Sequence, residues 1–161
     1  MNHKGDNMDY LIKKVVDDEI NDAFSLIWRT FSEFVAPDYT EEAIDNFKKN
    51  FIDNINYRDA FIQGNEVMYG AYVKNELAGV LSVRGADFIS CVFVDKKYHR
   101  KGIAGELLNK VTLVLKENGV EKIRLNSSPY AVPFYHSIGF KDLAKQQVYQ
   151  GILFTPMELI L

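Results

Sequence analysis

The stretch from Ile89 to Leu115 constrains this chain most. An apolar run, Ile89 to Val94, leads into Asp95-Lys96-Lys97-Tyr98-His99-Arg100-Lys101-Gly102. Ala104, Leu107, Leu108, Val111, Val114 and Leu115 then recur at the i, i+3, i+4, i+7 spacing of an amphipathic helix. The order is therefore strand, basic turn with glycine, helix. The first N–H groups of a helix have no intrahelical partner, and the helix dipole adds partial positive charge there. Gly102 and Gly105 around the first turn leave the backbone open to close approach. Such a turn suits a phosphate or pyrophosphate. It also reads as a basic surface turn ahead of an ordinary helix. The ATP-binding spacing G-x-x-x-x-G-K-[ST] is absent, as is the dinucleotide fingerprint G-x-G-x-x-G.

A chain of 161 residues is long enough for one domain with a sizeable core. The net charge of −3 argues against a general nucleic-acid binder and makes the basic turn a local positive spot. The single cysteine, Cys91, excludes an intramolecular disulfide and sits in the apolar run, where a small core residue is the plainer reading than a nucleophile. No run approaches the roughly 18 apolar residues of a membrane span. The polar N-terminus does not read as a signal peptide. Residues 1–9 are expected to be disordered, 10–161 to form the domain, and the protein to be cytoplasmic, with no metal, nucleic-acid or membrane partner.

Along the chain, Tyr10 to Val16 reads as a strand. Ile20, Ala23, Phe24, Ile27, Trp28, Phe31, Phe34 and Val35 follow at helical spacing, stopped by Pro37. Asp38 or Thr40 caps a second helix whose stripe is Ile44, Phe47 and Phe51. Asp53, Asn54 and Asn56 mark a loop, with a short piece at Phe61 and Ile62. Val67 to Val73 and Leu77 to Val83 form a hairpin, and Phe88 to Val94 is the strand that delivers the basic turn. The long helix stops at Asn118-Gly119. A strand from Glu121 to Leu125, a short helix limited by Pro129 and Pro133, and strands from Phe140 to Tyr149 and Ile152 to Leu161 complete the order βααβββαβαββ. The expected fold is α/β (α+β): a mixed sheet of about seven strands flanked by about four helices.

Two segments carry a family resemblance. Tyr98-His99-Arg100-Lys101-Gly102-Ile103-Ala104 resembles the acyl-CoA pyrophosphate loop of the GNAT acyltransferase superfamily, [Q/R]-x-x-G-x-[G/A], with His99 where glutamine or arginine is usual. Downstream, Asn126 followed by Ala131, Phe134, Tyr135, Gly139 and Phe140 is similar to that family's later motif, an asparagine and then A-x-x-F-Y-x-x-x-G-F. The resemblance implies a GNAT-like sheet over residues 10–161 and acetyl-CoA as acyl donor. It assigns the pyrophosphate to His99, Arg100, Lys101, Gly102, Ile103, Ala104 and Gly105. It sets the pantetheine arm beside Phe93 and Val94, and it gives Asn126 a contact to that arm; Asn126 reads equally as a cap for the next helix.

Acyl transfer to an amine needs a held donor, a neutral amine and a protonated leaving thiolate. By the resemblance Tyr135 is the general acid, and a phenol is protonated at neutral pH. The plain alternative is a tyrosine packed on the core. Many relatives place a glutamate on the fourth strand as base, but that position is Phe88 here. Glu33 is the candidate base, ahead of Asp87 and His136, with a water relay or no dedicated base as alternatives. The expected function is an N-acetyltransferase acting on a primary amine of a small molecule or peptide, as a monomer or homodimer. The alternatives are a non-catalytic acyl-CoA-binding sensor or regulatory module and an unrelated nucleotide-binding α/β domain.

Overall fold

The structure is a computed structural model that describes residues 9–161. The expectation for the N-terminal segment falls, Asp9 apart, outside the described residues. The expected fold class is borne out, with eight strands and five α-helices among the described residues. The strands are β1 (Tyr10–Lys14), β2 (Glu66–Val73), β3 (Glu76–Arg84), β4 (Phe88–Val94), β5 (Lys122–Ser127), β6 (Lys141–Asp142), β7 (Gln147–Tyr149) and β8 (Ile152–Ile160). The helices are α1 (Ile20–Thr30), α2 (Glu41–Phe47), α3 (Ile55–Gln63), α4 (Ile103–Glu117) and α5 (Val132–Ser137). The sheet runs β1-β2-β3-β4-β5-β8-β6, and β7 also pairs with β8. Every pairing is antiparallel except β4 with β5. That parallel step needs a crossover, which α4 supplies.

Local chemistry accounts for most elements. Lys74 and Asn75, both at positive φ, turn β2 into β3 in a two-residue hairpin. Successive residues of β3 feed opposite cores, as a strand's period of two requires: Leu81 faces α4, and Val80 faces α1. On the α4 side Leu107, Leu108 and Val111 pack with Ala71, Ile89, Ile123 and Met157. On the other side Phe24, Ile27 and Phe61 pack with Met68 and Cys91. In β4, Ser82 lies opposite Cys91 and Val83 opposite Ile89, so Ser90 is the extra residue of a β-bulge.

Three segments differ from the sequence expectation. The loop after Asp53 is mostly α3: Asn54 Oδ1 accepts from the Tyr57 N–H at 3.2 Å as an N-cap, and left-handed Gly64 ends the helix. Both first helices run on into wide, π-type turns, Phe31–Val35 and Lys48–Ile52. The expected strand from Phe140 to Tyr149 is two short ones, β6 and β7, with exposed residues between them.

Two leucines on α4 test the layering. Leu107 is fully buried against the sheet and Leu113 is 58% exposed. Leu107→Ala should lower unfolding free energy by about 2–5 kcal/mol, through lost burial and a cavity. Leu113→Ala should change it by less than about 0.5 kcal/mol in the same urea titrations.

Candidate functional site

β4 and β5 pair only at Phe88 opposite Arg124 and Ile89 opposite Leu125. Past those residues β4 stays on β3 as far as Val94, while β5 follows β8. The sheet therefore parts, and the β5-facing edge of Ser90 to Val94 has no strand partner. A cleft of about 920 Å³ opens there. Phe93 and Val94 line it from β4, Leu125 and Asn126 from β5, Phe134 and Tyr135 from α5, and His99, Arg100 and Gly102 to Gly105 from the turn and α4.

The turn presents backbone more than charge. Gly102 is the N-cap of α4 at φ +79° and contributes no side-chain cap, so the first-turn N–H groups keep their donor capacity. Arg100 is also left-handed, at φ +60°. Lys96 pairs with Glu33 at 2.7 Å and Lys97 with Glu76 at 2.6 Å, and none of these four lines the cleft. Lys101 does not line it either, which separates it from the other residues expected there. The His99 ring donates from Nε2 to the Val94 carbonyl at 2.6 Å, because a carbonyl can only accept. Phe34 lies against the other side of that ring at 4.5 Å between centroids. Together these contacts fix the imidazole at the mouth of the cleft.

Tyr135 is buried, with 7% of its surface exposed, and its ring packs on Phe134 and Phe140. Burial, and then the neighbouring Cys91, hold its phenol above the usual tyrosine range, so it stays protonated. Burial likewise pushes the Cys91 thiol up to about 12, which removes it as a thiolate nucleophile. Asn126 lies within β5 and lines the cleft; the cap positions before α5 are Ser128 and Ala131, so it caps no helix.

The remaining candidate bases lie elsewhere. Glu33 is bound to Lys96 outside the cleft lining. His136 bonds Asp142 at 2.7 Å on the surface. Asp87 lies 3.4 Å from Arg124, and Phe88 sits between the Arg84 and Arg124 guanidiniums. Among the described residues no aspartate or glutamate lines the cleft. The nearest connection to a carboxylate runs through Ser90, which lines the cleft and donates to Glu66 Oε2 at 3.0 Å. Glu66 is 3% exposed and paired with Arg84 at 2.5 Å.

A profile described as the acetyltransferase (GNAT) domain matches residues 35–161, most of the chain and all of the cleft except Thr30, Phe31 and Phe34. The chain belongs to the GNAT acetyltransferase family. Solved structures share the fold. A GCN5-related N-acetyltransferase from Rhodopseudomonas palustris is 17% identical, with a TM-score of 0.81 over 96% of this chain and 98% of that one. PaiA N-acetyltransferase from Thermoplasma acidophilum, solved with coenzyme A, is 19% identical, with a TM-score of 0.78 over 96% and 100%. A candidate streptothricin acetyltransferase from Bacillus anthracis, solved with acetyl coenzyme A, is 22% identical, with a TM-score of 0.53 over 60% and 63%. No curated protein sequence matches the chain. Among the described residues no helix is long and apolar enough to cross a membrane.

Within this GNAT site the strand, turn and helix of the donor end were readable in sequence. The opposite wall is expected from sequence only as segments: the loop after the first helix, Phe51 to Gly64 and the closing strands. Thr30, Phe31, Tyr39, Phe47 and Phe51 come from α1, α2 and their connection, and Tyr149, Leu153 and Phe154 from the β7–β8 hairpin. Read as helical stripes, the phenylalanines looked like ordinary core.

If the α4 N-terminus holds the donor's pyrophosphate, Gly102→Glu should abolish stabilisation by acetyl-CoA in a thermal-shift assay. Wild type at a hundredfold excess over Kd should gain about 2.7 kcal/mol. Gly102→Ala adds the strain of a left-handed residue without charge and should keep part of the shift. An unchanged shift in Gly102→Glu would place the anion elsewhere.

Proposed function

We propose that this protein transfers an acetyl group from acetyl-CoA to an amine nitrogen by direct attack within a ternary complex. One observation carries the reading: a buried, protonated tyrosine, Tyr135, lines the same cleft as the uncapped α4 N-terminus and the unpaired edge of β4. The coenzyme complexes of the structural neighbours support acetyl-CoA as donor. The α4 N-terminus takes the pyrophosphate by its N–H groups, with Arg100 beside it. The pantetheine arm adds to the open edge of β4 next to Phe93, as an extra strand would. The Val94 carbonyl accepts from His99, which uses one of its two acceptor positions.

The neutral amine attacks the thioester carbonyl carbon, and the C–S bond breaks. The Tyr135 hydroxyl gives its proton to the departing thiolate and recovers one from solvent; the amine's proton leaves to water. Free phenol and thiol have comparable acidities; burial weakens the Tyr135 phenol as an acid, and the same apolar surroundings disfavour the thiolate, so the proton moves as the C–S bond breaks. An acyl-cysteine step is disfavoured, because Cys91 is held as the thiol. Glu33 has no part in this scheme: its carboxylate bonds Lys96 away from the cleft.

The lack of any cleft-lining carboxylate among the described residues favours the second reading, a non-catalytic acyl-CoA-binding module. Release of free CoA thiol in the presence of an amine panel separates the two.

Tyr135→Phe keeps the ring and removes the hydroxyl. Its contribution is made in the transition state, so kcat should fall about 10²–10⁴-fold with little change in Kd for acetyl-CoA. Loss of CoA affinity together with rate would assign the hydroxyl to binding. Glu33→Gln should leave the acid limb of the kcat/KM pH profile where it is, and that limb should move with the acceptor's own pKa. A limb that vanishes in Glu33→Gln would restore Glu33 as the base.

A further inference from the structure

The part of the cleft lined by the ends of α1 and α2 and by the β7–β8 hairpin has its own chemistry. α1 ends in the wide turn that carries Phe31 and Phe34, and α2 runs into the one that carries Phe51. Phe31 stacks on Phe47 with centroids 3.8 Å apart and planes 10° off parallel, and Phe47 on Phe51 at 5.1 Å and 11°. The β7–β8 hairpin forms the opposite wall. It is fastened to α2: Asn46 donates to the Gln150 carbonyl at 3.1 Å, Asn50 to Gln150 Oε1 at 2.9 Å, and Tyr39 to the Leu153 carbonyl at 2.9 Å. At the hairpin tip Gly151 has φ +81°, and a Cβ there would stand 3.0 Å from Ala43. The compartment is therefore built into the fold and not left by a stray loop.

Among the described residues no acidic side chain lines it. The carboxylates closest in the fold are engaged elsewhere, Glu33 with Lys96 and Glu66 with Arg84 and Ser90. One neutral polar atom in this wall has no partner: Thr30 Oγ1, on a residue 6% exposed. A second ammonium group on an acceptor would lose its water here and meet no counter-charge. Aromatic faces can attract cations, but rings stacked on one another have faces already covered.

Resting on the acetyltransferase reading above, we propose that the acceptor is a small monoamine with an aromatic or apolar body, and not a polyamine or an amino sugar. Its body lies between the stacked phenylalanines and the β7–β8 hairpin. Its single amino group faces the thioester beside Tyr135, which lines the same cleft. Apolar surroundings disfavour the ammonium form, so the compartment itself presents the neutral nitrogen that attack requires.

The test uses the wild-type protein with 2-phenylethylamine, spermidine and kanamycin. Turnover is followed as CoA thiol release from acetyl-CoA. Binding is followed separately, in the presence of CoA alone, by thermal shift and by fluorescence of Trp28, the chain's one tryptophan, which stacks on Phe31 at 6.1 Å. The expected result is kcat/KM for 2-phenylethylamine at least about tenfold above the other two. Stabilisation and a fluorescence change should come from that amine alone. Phe47→Ala should raise KM for 2-phenylethylamine about tenfold, and Phe47→Leu should recover part of it. Preferred turnover of spermidine or kanamycin would overturn the substrate class and leave the acetyltransferase reading standing. Binding of 2-phenylethylamine beside CoA with no turnover of any amine would support the compartment and overturn the transfer. A thermal shift and fluorescence that respond to no aromatic amine would overturn the proposal outright.

Discussion

β4 and β5 are joined by Phe88 opposite Arg124 and Ile89 opposite Leu125, with one further bond from the Arg124 N–H to the Asp87 carbonyl at 2.9 Å. Beyond that apex each strand belongs to a different half of the sheet. β4 is held on β3 to its end, where Val94 faces Gly79 and the Asp95 N–H donates to the Ala78 carbonyl at 2.8 Å. β5 is held on β8, with Asn126 opposite Pro156 and Ser127 opposite Thr155. Buried backbone groups are almost always paired in folded proteins. An inner strand with one edge left open is therefore an incomplete structure that a ligand's polar arm can complete. The rest follows from this wedge. α4 must cross from one half to the other, so its N-terminus opens at the wedge. α5 fills the wedge from the far side and brings Tyr135 with it.

The two ends of the cleft use different forces. At the donor end the chain offers dipoles and backbone N–H groups, and the lysines at the start of the turn are tied off by Glu33 and Glu76. On the proposed reading, recognition there rests on the left-handed geometry at Arg100 and Gly102 more than on net charge. At the far end the walls are aromatic rings and a hairpin, held by hydrogen bonds between residues about a hundred positions apart in sequence. Arg29, on α1, bonds Asp95 at the end of β4 at 2.6 Å, and so links the helix that carries the aromatic wall to the strand that carries the donor edge. If the two ends hold the two substrates as proposed, this contact outside both helps place one against the other.

What the sequence made legible was what short-range chemistry determines. The strand, turn and α4 are specified within about 30 residues by periodicity and glycine placement, and the structure has them where they were expected. Tyr135 was singled out by its motif and does line the cleft. α3 carried a readable signal, an asparagine cap and a glycine stop, but its low amphipathicity hid it. The wide turns at Phe31–Val35 and Lys48–Ile52 carried none, because an extra residue in a turn leaves composition unchanged and rotates everything after it. Glu33 shows the same limit. Position near the end of α1 suggested reach into the site, whereas its actual direction is set by Lys96, 63 residues away in sequence.

The protonation states in and around the cleft explain why one wall is aromatic. Three buried groups there could exchange a proton or carry an acyl group. Cys91 is kept as a thiol by burial. Tyr135 is kept as a phenol by the same effect. Glu66 is held by Arg84 and reaches the cleft only through the hydroxyl of Ser90. The lining thus offers an acid and no carboxylate base, which for an amine acceptor is half of what is needed. The other half can come from solvation. An amine moved from water into apolar surroundings loses the stabilisation of its ammonium form, and its pKa falls toward the working pH. Desolvation then acts twice in one cleft. In the proposed reaction it keeps the tyrosine protonated where the thiolate would leave, and the nitrogen unprotonated where the carbonyl would be attacked. An acidic residue in the aromatic wall would work against the second effect, because a nearby carboxylate stabilises the ammonium. On this argument the stacked phenylalanines and the absence of a lining carboxylate are one feature, and the proposed reaction needs both.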